Sequence, residues 1–341
     1  MSEKIFQGLP GQAAGWSRSV LKEAGWICWK LFRIMIPVMV LVKILVELGW
    51  VSYLALPLEP VMELVGLPAE MGLVWATAML DSYYSGIVVL LSLLESQPLT
   101  VAQMTVLGSM ILICHALPVE VKIAQASGNR FLFQLVLRIL GGFALGFLLH
   151  HIYAAGGWLQ QENSVFWQKG GAIPTTLASW ALNQGRNLLA IFLIILTLVV
   201  LMRILKRFGV IDLINRLLSP LLRILNIGRE AGTLTIIGMT LGLSYGGGLI
   251  IHEAGSGRIE QRDVFGAMTM MGLAHGLIED TIVLALLGAH LSGILFARIL
   301  FALLAVALVM RIIPRLSTGK IHFFFYTRFA PRRADSAGKT G

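Results

Sequence analysis

The chain has 341 residues, 57% of them hydrophobic and 13% charged, with a mean hydropathy of +0.80. That composition excludes an ordinary water-soluble globule and asks for a bilayer as solvent. The net charge of +9 comes from Lys and Arg lying mostly between and beyond the apolar runs, where they set topology and touch anionic lipid, so no nucleic-acid partner is expected.

In chain order, residues 1–30 read as an interfacial helix. "GWSRSVLKEAGWICWK" places Trp16, Val20, Ala24 and Ile27 at helical spacing with Arg18 and Lys22 elsewhere on the wheel; a basic topological flank is the alternative. No continuous apolar stretch with a small-residue cleavage site occurs there, so the first helix is expected to be its own targeting signal. Apolar runs follow at Leu31–Leu54, Met71–Leu94, Val101–Ala124, Phe131–Tyr153, Asn187–Leu205, Thr233–Ile251, Val264–Gly288 and Leu291–Ile313. Cys28 and Cys114 have no metal-type spacing and read as packing residues.

An internal repeat organises these runs. Phe32–Leu140 aligns with Phe192–Leu300 at an offset of 160 without a gap, with 22 of 109 pairs identical. The identities include Gly49/Gly209, Pro60/Pro220, Glu70/Glu230, Gly86/Gly246, His115/His275, Gly128/Gly288 and Arg138/Arg298, positions that chance similarity between leucine-rich helices seldom reproduces in one register. Ile44–Val121 contains no Lys or Arg, whereas the matching stretch carries Lys206, Arg207, Arg216, Arg223, Arg229, Arg258 and Arg262. Because basic residues stay cytoplasmic, the copies face opposite ways, and each must cross an odd number of times.

Each copy has four runs, so one must turn back. Met71–Leu94 is interrupted by "DSYYSG" and Thr233–Ile251 by "SYGGG", and glycine-rich breaks at membrane depth suit re-entrant hairpins; close helix packing is the plainer use of the glycines. "YLALPLEPVMELVG" and "DLINRLLSPLLRILNIG" read as interfacial helices, the second with Asp212 as its cap. The predicted fold is an all-α integral membrane protein of two inverted repeats, each with three crossings, a re-entrant broken hairpin and an interfacial helix. The copies occupy residues 31–155 and 187–313. An external connector with Trp158, Trp167 and Trp180 covers 156–186, and a basic cytoplasmic tail covers 314–341.

Ionisable groups in hydrocarbon are costly and usually mark an ion or solute path. His275 and Glu279 are four residues apart, Asp280 is adjacent, and the first copy supplies His115 and Glu120. Packed about a pseudo-twofold axis, these five residues form a candidate divalent-metal or proton site. Beside it the broken hairpins bring Asp81, Tyr83, Tyr84, Ser85 and Gly86 from one copy and Ser244, Tyr245, Gly246, Gly247 and Gly248 from the other as candidate solute-binding residues. His252-Glu253 sits near a hairpin end, at a mouth or merely at the interface. Arg138 and Arg298 fall inside apolar runs and either pair with acids or snorkel.

The segment "GLSYGGGLIIHEAGSGRIEQRDVFGAMTMMGLAHGLIEDTIV", and more weakly Leu73–Arg138, resembles the Gate, or nucleoside-recognition, domain of bacterial inner-membrane proteins, a group that includes spore maturation proteins and the membrane core of the ferrous iron transporter B family. The resemblance implies solute permeation from a tandem pair of Gate domains in the inner membrane. The first copy departs from it by lacking the triple glycine, and no GxxxxGK[ST] loop occurs in these residues. The expected work is transport of a small polar or ionic solute, a divalent cation first and a nucleoside or other small organic solute second; a non-transporting scaffold is the alternative of another class. No enzymatic motif is present, neither HExxH nor a serine-nucleophile pattern, and no resident cofactor is expected. A proton is the candidate coupling ion, anionic lipid the partner at basic segments, both termini are expected in the cytoplasm, and a homo-oligomer is compatible with the reading.

Overall fold

A computed structural model describes residues 9–48, 50–94, 97–163, 176–209, 227–243 and 259–326, with positions 213, 216–218, 220–222, 225 and 251. No strand occurs among the described residues, and four segments are long and apolar enough to cross a membrane: Val101–Ala126, Phe131–Gly156, Leu177–Leu205 and Ser292–Arg315. The protein is an all-α, multi-pass membrane protein.

Helix α1 (Leu9–Glu47) runs 39 residues without a break, about 58 Å at 1.5 Å per residue. The expected interfacial segment before residue 30 is therefore continuous with the first apolar run. Its buried stripe is Val20, Ala24 and Cys28, one residue per turn, while Trp26 and Trp29 on the other side are exposed. The stripe packs on protein, because α1 lies against α5 (Tyr83–Leu93) and α9 (Leu177–Arg207). Two short helices, α2 (Trp50–Ala55) and α3 (Glu59–Leu64), occupy the expected interfacial stretch of the first copy. Its counterpart in the second copy, with Asp212, falls largely outside the described residues.

The run at 71–94 breaks where its sequence turns polar. Helix α4 (Met71–Leu80) ends at Asp81, and Ser82, in extended conformation, caps α5 by accepting from the Ser85 backbone N–H at 3.3 Å. Ser85 and Ser82 hydroxyls both donate to the Asp81 carboxylate, so these three residues satisfy one another at a helix start. Gly86 answers to packing: a Cβ there would lie 2.8 Å from Ala78 Cβ and 3.1 Å from the Val74 carbonyl, so its absence lets α4 and α5 close on each other.

Helix α6 (Val101–Ile113) opens on a capping box of Thr100 and Gln103 and stops at Cys114; α7 (Leu117–Ala126) begins three residues later with Pro118 in its first turn. The turn between them needs a left-handed residue, and Ala116 takes it at φ +47°. Helix α8 (Phe131–Gly156) packs along α6, with Gly142 and Gly146 allowing the approach to Met110 and Cys114. In the second half, α10 (Arg229–Leu241) packs on α11 (Gln261–Leu273); α11 ends at Ala274, α12 (Glu279–Leu286) follows, and Gly276 is left-handed at φ +57°. A π-helical turn, Ser292–Ala297, leads into α13 (Arg298–Ile312), and α14 (Thr318–Phe324) lies beyond it.

Candidate functional site

The two helix breaks, α6/α7 and α11/α12, meet in the protein interior. Unwound backbone at membrane depth persists only where protein or water satisfies it, and the first break is satisfied by protein. Arg138 of α8, 1% exposed, donates from Nε to the Ile113 carbonyl at 2.8 Å and from Nη2 to the His115 carbonyl at 2.9 Å. Its Nη1 lies 2.5 Å from Glu120 Oε2. One guanidinium thus spans the orphan carbonyls and neutralises the carboxylate on the next turn, so the first copy's arginine pairs with an acid.

His115 and His275 project from the breaks and face each other. Their Nε2 atoms are 3.1 Å apart, and their ring centroids 4.9 Å. Glu120 Oε1 lies 3.1 Å from His275 Nε2 and 3.5 Å from His115 Nε2. His115 Nδ1 sits 2.9 Å from the Ile111 carbonyl and His275 Nδ1 2.8 Å from that of Met271. A carbonyl only accepts, so each Nδ1 carries its hydrogen and each neutral ring turns a lone pair inward at Nε2. Two ring nitrogens and a carboxylate oxygen then converge with no hydrogen between them. Three acceptors in a buried site repel one another unless a positive charge joins them, either a proton on one Nε2 or a metal ion.

Asp280 completes the cluster: His115, His275 and Asp280 each offer a ligand atom within 4.8 Å of the others, and all three are buried. The ring of Tyr83 lies edge-on to His115 at 5.5 Å and against Tyr84 at 4.1 Å. Glu279 reaches the cluster only through the tyrosines. The helix is broken between Ala274 and Ile278, so the expected shared face of His275 and Glu279 does not exist, and Glu279 instead accepts from the Tyr84 hydroxyl at 3.0 Å. Asp81 and Ser85 are engaged in the α5 cap and Gly86 in packing, while Ser244, Tyr245, Gly246, Gly247 and Gly248, with His252-Glu253, lie outside the described residues. Arg138 is the member that spacing did not assign; a charge in an apolar run, 18 residues beyond an acid that also lies in one, was its only signal.

The halves differ around their buried arginines. Arg298 stands 160 residues after Arg138, as His275 does after His115, and is 0% exposed, yet Nε, Nη1 and Nη2 all lack a hydrogen-bond partner among the described residues. Its acid counterpart, Asp280, is one methylene shorter than Glu120 and folds back over Gly276, where an added Cβ would come within 2.0 Å of Oδ2. In the first half Ala116 occupies the position equivalent to Gly276.

Residues 28–128 match the family described as Gate, "Nucleoside recognition". The match falls on the first copy, which carried the weaker resemblance in sequence. An uncharacterized membrane protein of Bacillus subtilis (strain 168), YvoD, is 27% identical over 305 residues, covering 89% of this chain and 93% of that protein. No solved structure matches the chain. With its membrane-length helices, the chain is a multi-pass membrane protein whose residues 28–128 are similar to the Gate family.

Proposed function

We propose that this protein carries a divalent metal cation across the membrane, received by His115, His275 and Glu120 with Asp280 beside them. The supporting observation is the convergence of three acceptors. A point equidistant from the two Nε2 atoms and Glu120 Oε1 lies about 1.9 Å from each, and a slight displacement out of their plane gives the 2.0–2.2 Å of first-row metal–nitrogen and metal–oxygen bonds. A set of two imidazoles and carboxylate suits ions such as Zn²⁺, Fe²⁺ or Mn²⁺ better than Mg²⁺ or Ca²⁺. Because the same point accepts a proton, metal entry displaces that proton and couples the two ions.

In this reading the copies are inverted repeats, each with three crossings and a re-entrant hairpin. The cargo is exposed alternately to the two sides by movement of one copy against the other. The contrast of Lys and Arg between the copies and the paired helix breaks at an offset of 160 support it, with both termini inside and the bilayer a bacterial inner membrane. The protein is not an enzyme in this reading, and it needs no resident cofactor. A nucleoside is the second cargo, favoured by the family's description and by the aromatic pair Tyr83–Tyr84 beside His115.

Calorimetry and thermal shift on the purified full chain, titrated with Zn²⁺, Mn²⁺, Fe²⁺ and nucleosides, test the proposal. Metal binding by wild type and by Glu279→Gln, lost in His115→Ala/His275→Ala, is the expected outcome. Nucleoside binding that survives in the double variant moves the cargo to the Tyr83–Tyr84 side, and a chain that binds neither class refutes transport at this cluster.

A further inference from the structure

A second concavity among the described residues is not lined by either histidine. A groove of about 970 Å³ runs along α8, with Phe301 of α13 on its far wall and α14 beside its opening. Leu132, Val136 and Leu140, one per turn of α8, line it and are 43–68% exposed, and Phe323 and Phe324 add aromatic surface. From Phe131 to Ala144 it extends about 20 Å, two-thirds of the roughly 30 Å hydrocarbon thickness of a bilayer.

Polarity is confined to one end. Gln125, Asn129, Arg130 and Lys320 are the polar lining residues. The Arg130 backbone N–H donates to the Phe325 carbonyl at 2.8 Å and Asn129 bridges to Tyr326, which fixes α14, and Lys320 with it, at the same end as Arg130. Lys122 adds a third positive charge there, held 5.4 Å over the Phe131 ring and 3.0 Å from Gln125 Oε1. At the other end Leu140, Gly141, Ala144 and Phe301 offer no polar side chain. A cationic mouth on an apolar stem at least a leaflet deep matches an amphiphile with an anionic head.

We propose that this groove binds an anionic phospholipid, one acyl chain along α8 and its headgroup phosphate at Lys320 and Arg130. The chain's own segment 327–341, "TRFAPRRADSAGKTG", has a single large apolar side chain and cannot fill 20 Å of apolar wall. Its four basic residues instead add to the attraction for the same anionic leaflet.

Native mass spectrometry of the full chain tests this, with phosphatidylglycerol and phosphatidylcholine of identical acyl chains added in turn. Wild type retains phosphatidylglycerol in preference to phosphatidylcholine. Lys320→Ala lowers phosphatidylglycerol retention about fivefold, the contribution of one basic side chain at an anionic surface, and lowers that of the zwitterionic phosphatidylcholine by less, so the preference narrows. Val136→Trp, which fills the groove from an exposed position, removes both lipids while elution volume and thermal midpoint stay at wild-type values; Ala144→Phe serves the same purpose from deeper in the groove. Equal retention of both lipids by wild type, undiminished retention in the two groove-filling variants, or a dimer whose interface covers the groove would each overturn the proposal.

Discussion

The two buried arginines stand in equivalent places with unequal surroundings, and replacing each by methionine separates the consequences. Arg138→Met removes the ion pair to Glu120 at 2.5 Å and two hydrogen bonds, at 2.8 and 2.9 Å, to the carbonyls of the α6/α7 break, leaving a buried carboxylate with only the histidines beside it and two buried acceptors without their donor. Breaking a buried pair in this way costs about 3–5 kcal/mol. Arg298→Met removes a guanidinium with no hydrogen bond among the described residues, held only by the charge of Asp280, so the desolvation penalty that disappears offsets the attraction that is lost and the change is near neutral. At the ~2 °C per kcal/mol of large chains, the apparent Tm of detergent-solubilised Arg138→Met should fall by roughly 5–10 °C, while that of Arg298→Met holds. Differential scanning fluorimetry at matched detergent and salt reads both. Equal losses in the two variants would mean that Arg298 is as well partnered as Arg138 and would refute the asymmetry.

Gly276→Ala should place a methyl group 2.0 Å from the Asp280 carboxylate on a left-handed residue, displacing Asp280 from its fold-back and costing about 1–2 kcal/mol; thermal shift measures the cost, and an unchanged midpoint would contradict the described packing. For topology, both native cysteines are buried, so Glu63→Cys and Arg216→Cys can be labelled on a quiet background. A membrane-impermeant maleimide on intact cells should reach position 63 and not 216, and labelling of both or neither would sink the inverted-repeat reading.

Much of the fold was legible in the sequence because a bilayer leaves few choices. Over the described residues the apolar runs became helices, and the polar "DSYYSG" interruption became the α4/α5 break, since Ser82 accepts from the Ser85 backbone N–H that starts the new helix and Asp81 accepts from both serine hydroxyls. The pairing of His115 with His275 was anticipated from the 160-residue offset. What periodicity missed was local. An i, i+4 spacing presumes an unbroken helix, whereas each helix ends two residues before its histidine, the left-handed residues Ala116 and Gly276 follow within the break, and Glu279 turns toward Tyr84. An alanine at φ +47° carries no glycine signature, so the first break was the harder one to foresee. The role of Arg138 depended on free carbonyls that exist only because of that break.

The shared triangle also has a mechanical meaning. Two of its corners, Glu120 and His115, ride on the first half of the chain and the third, His275, on the second, so an ion at its centre would add a cross-link to the hydrogen bonds, such as Tyr84–Glu279 and Gln134–Thr269, that already join the halves. Sliding one half by an ångström lengthens a bond that tolerates about 0.2 Å. Loading therefore stiffens the joint and unloading frees it. Amide exchange across residues 111–120 and 271–280 would then slow in step with occupancy, a ruler for how firmly the halves are tied.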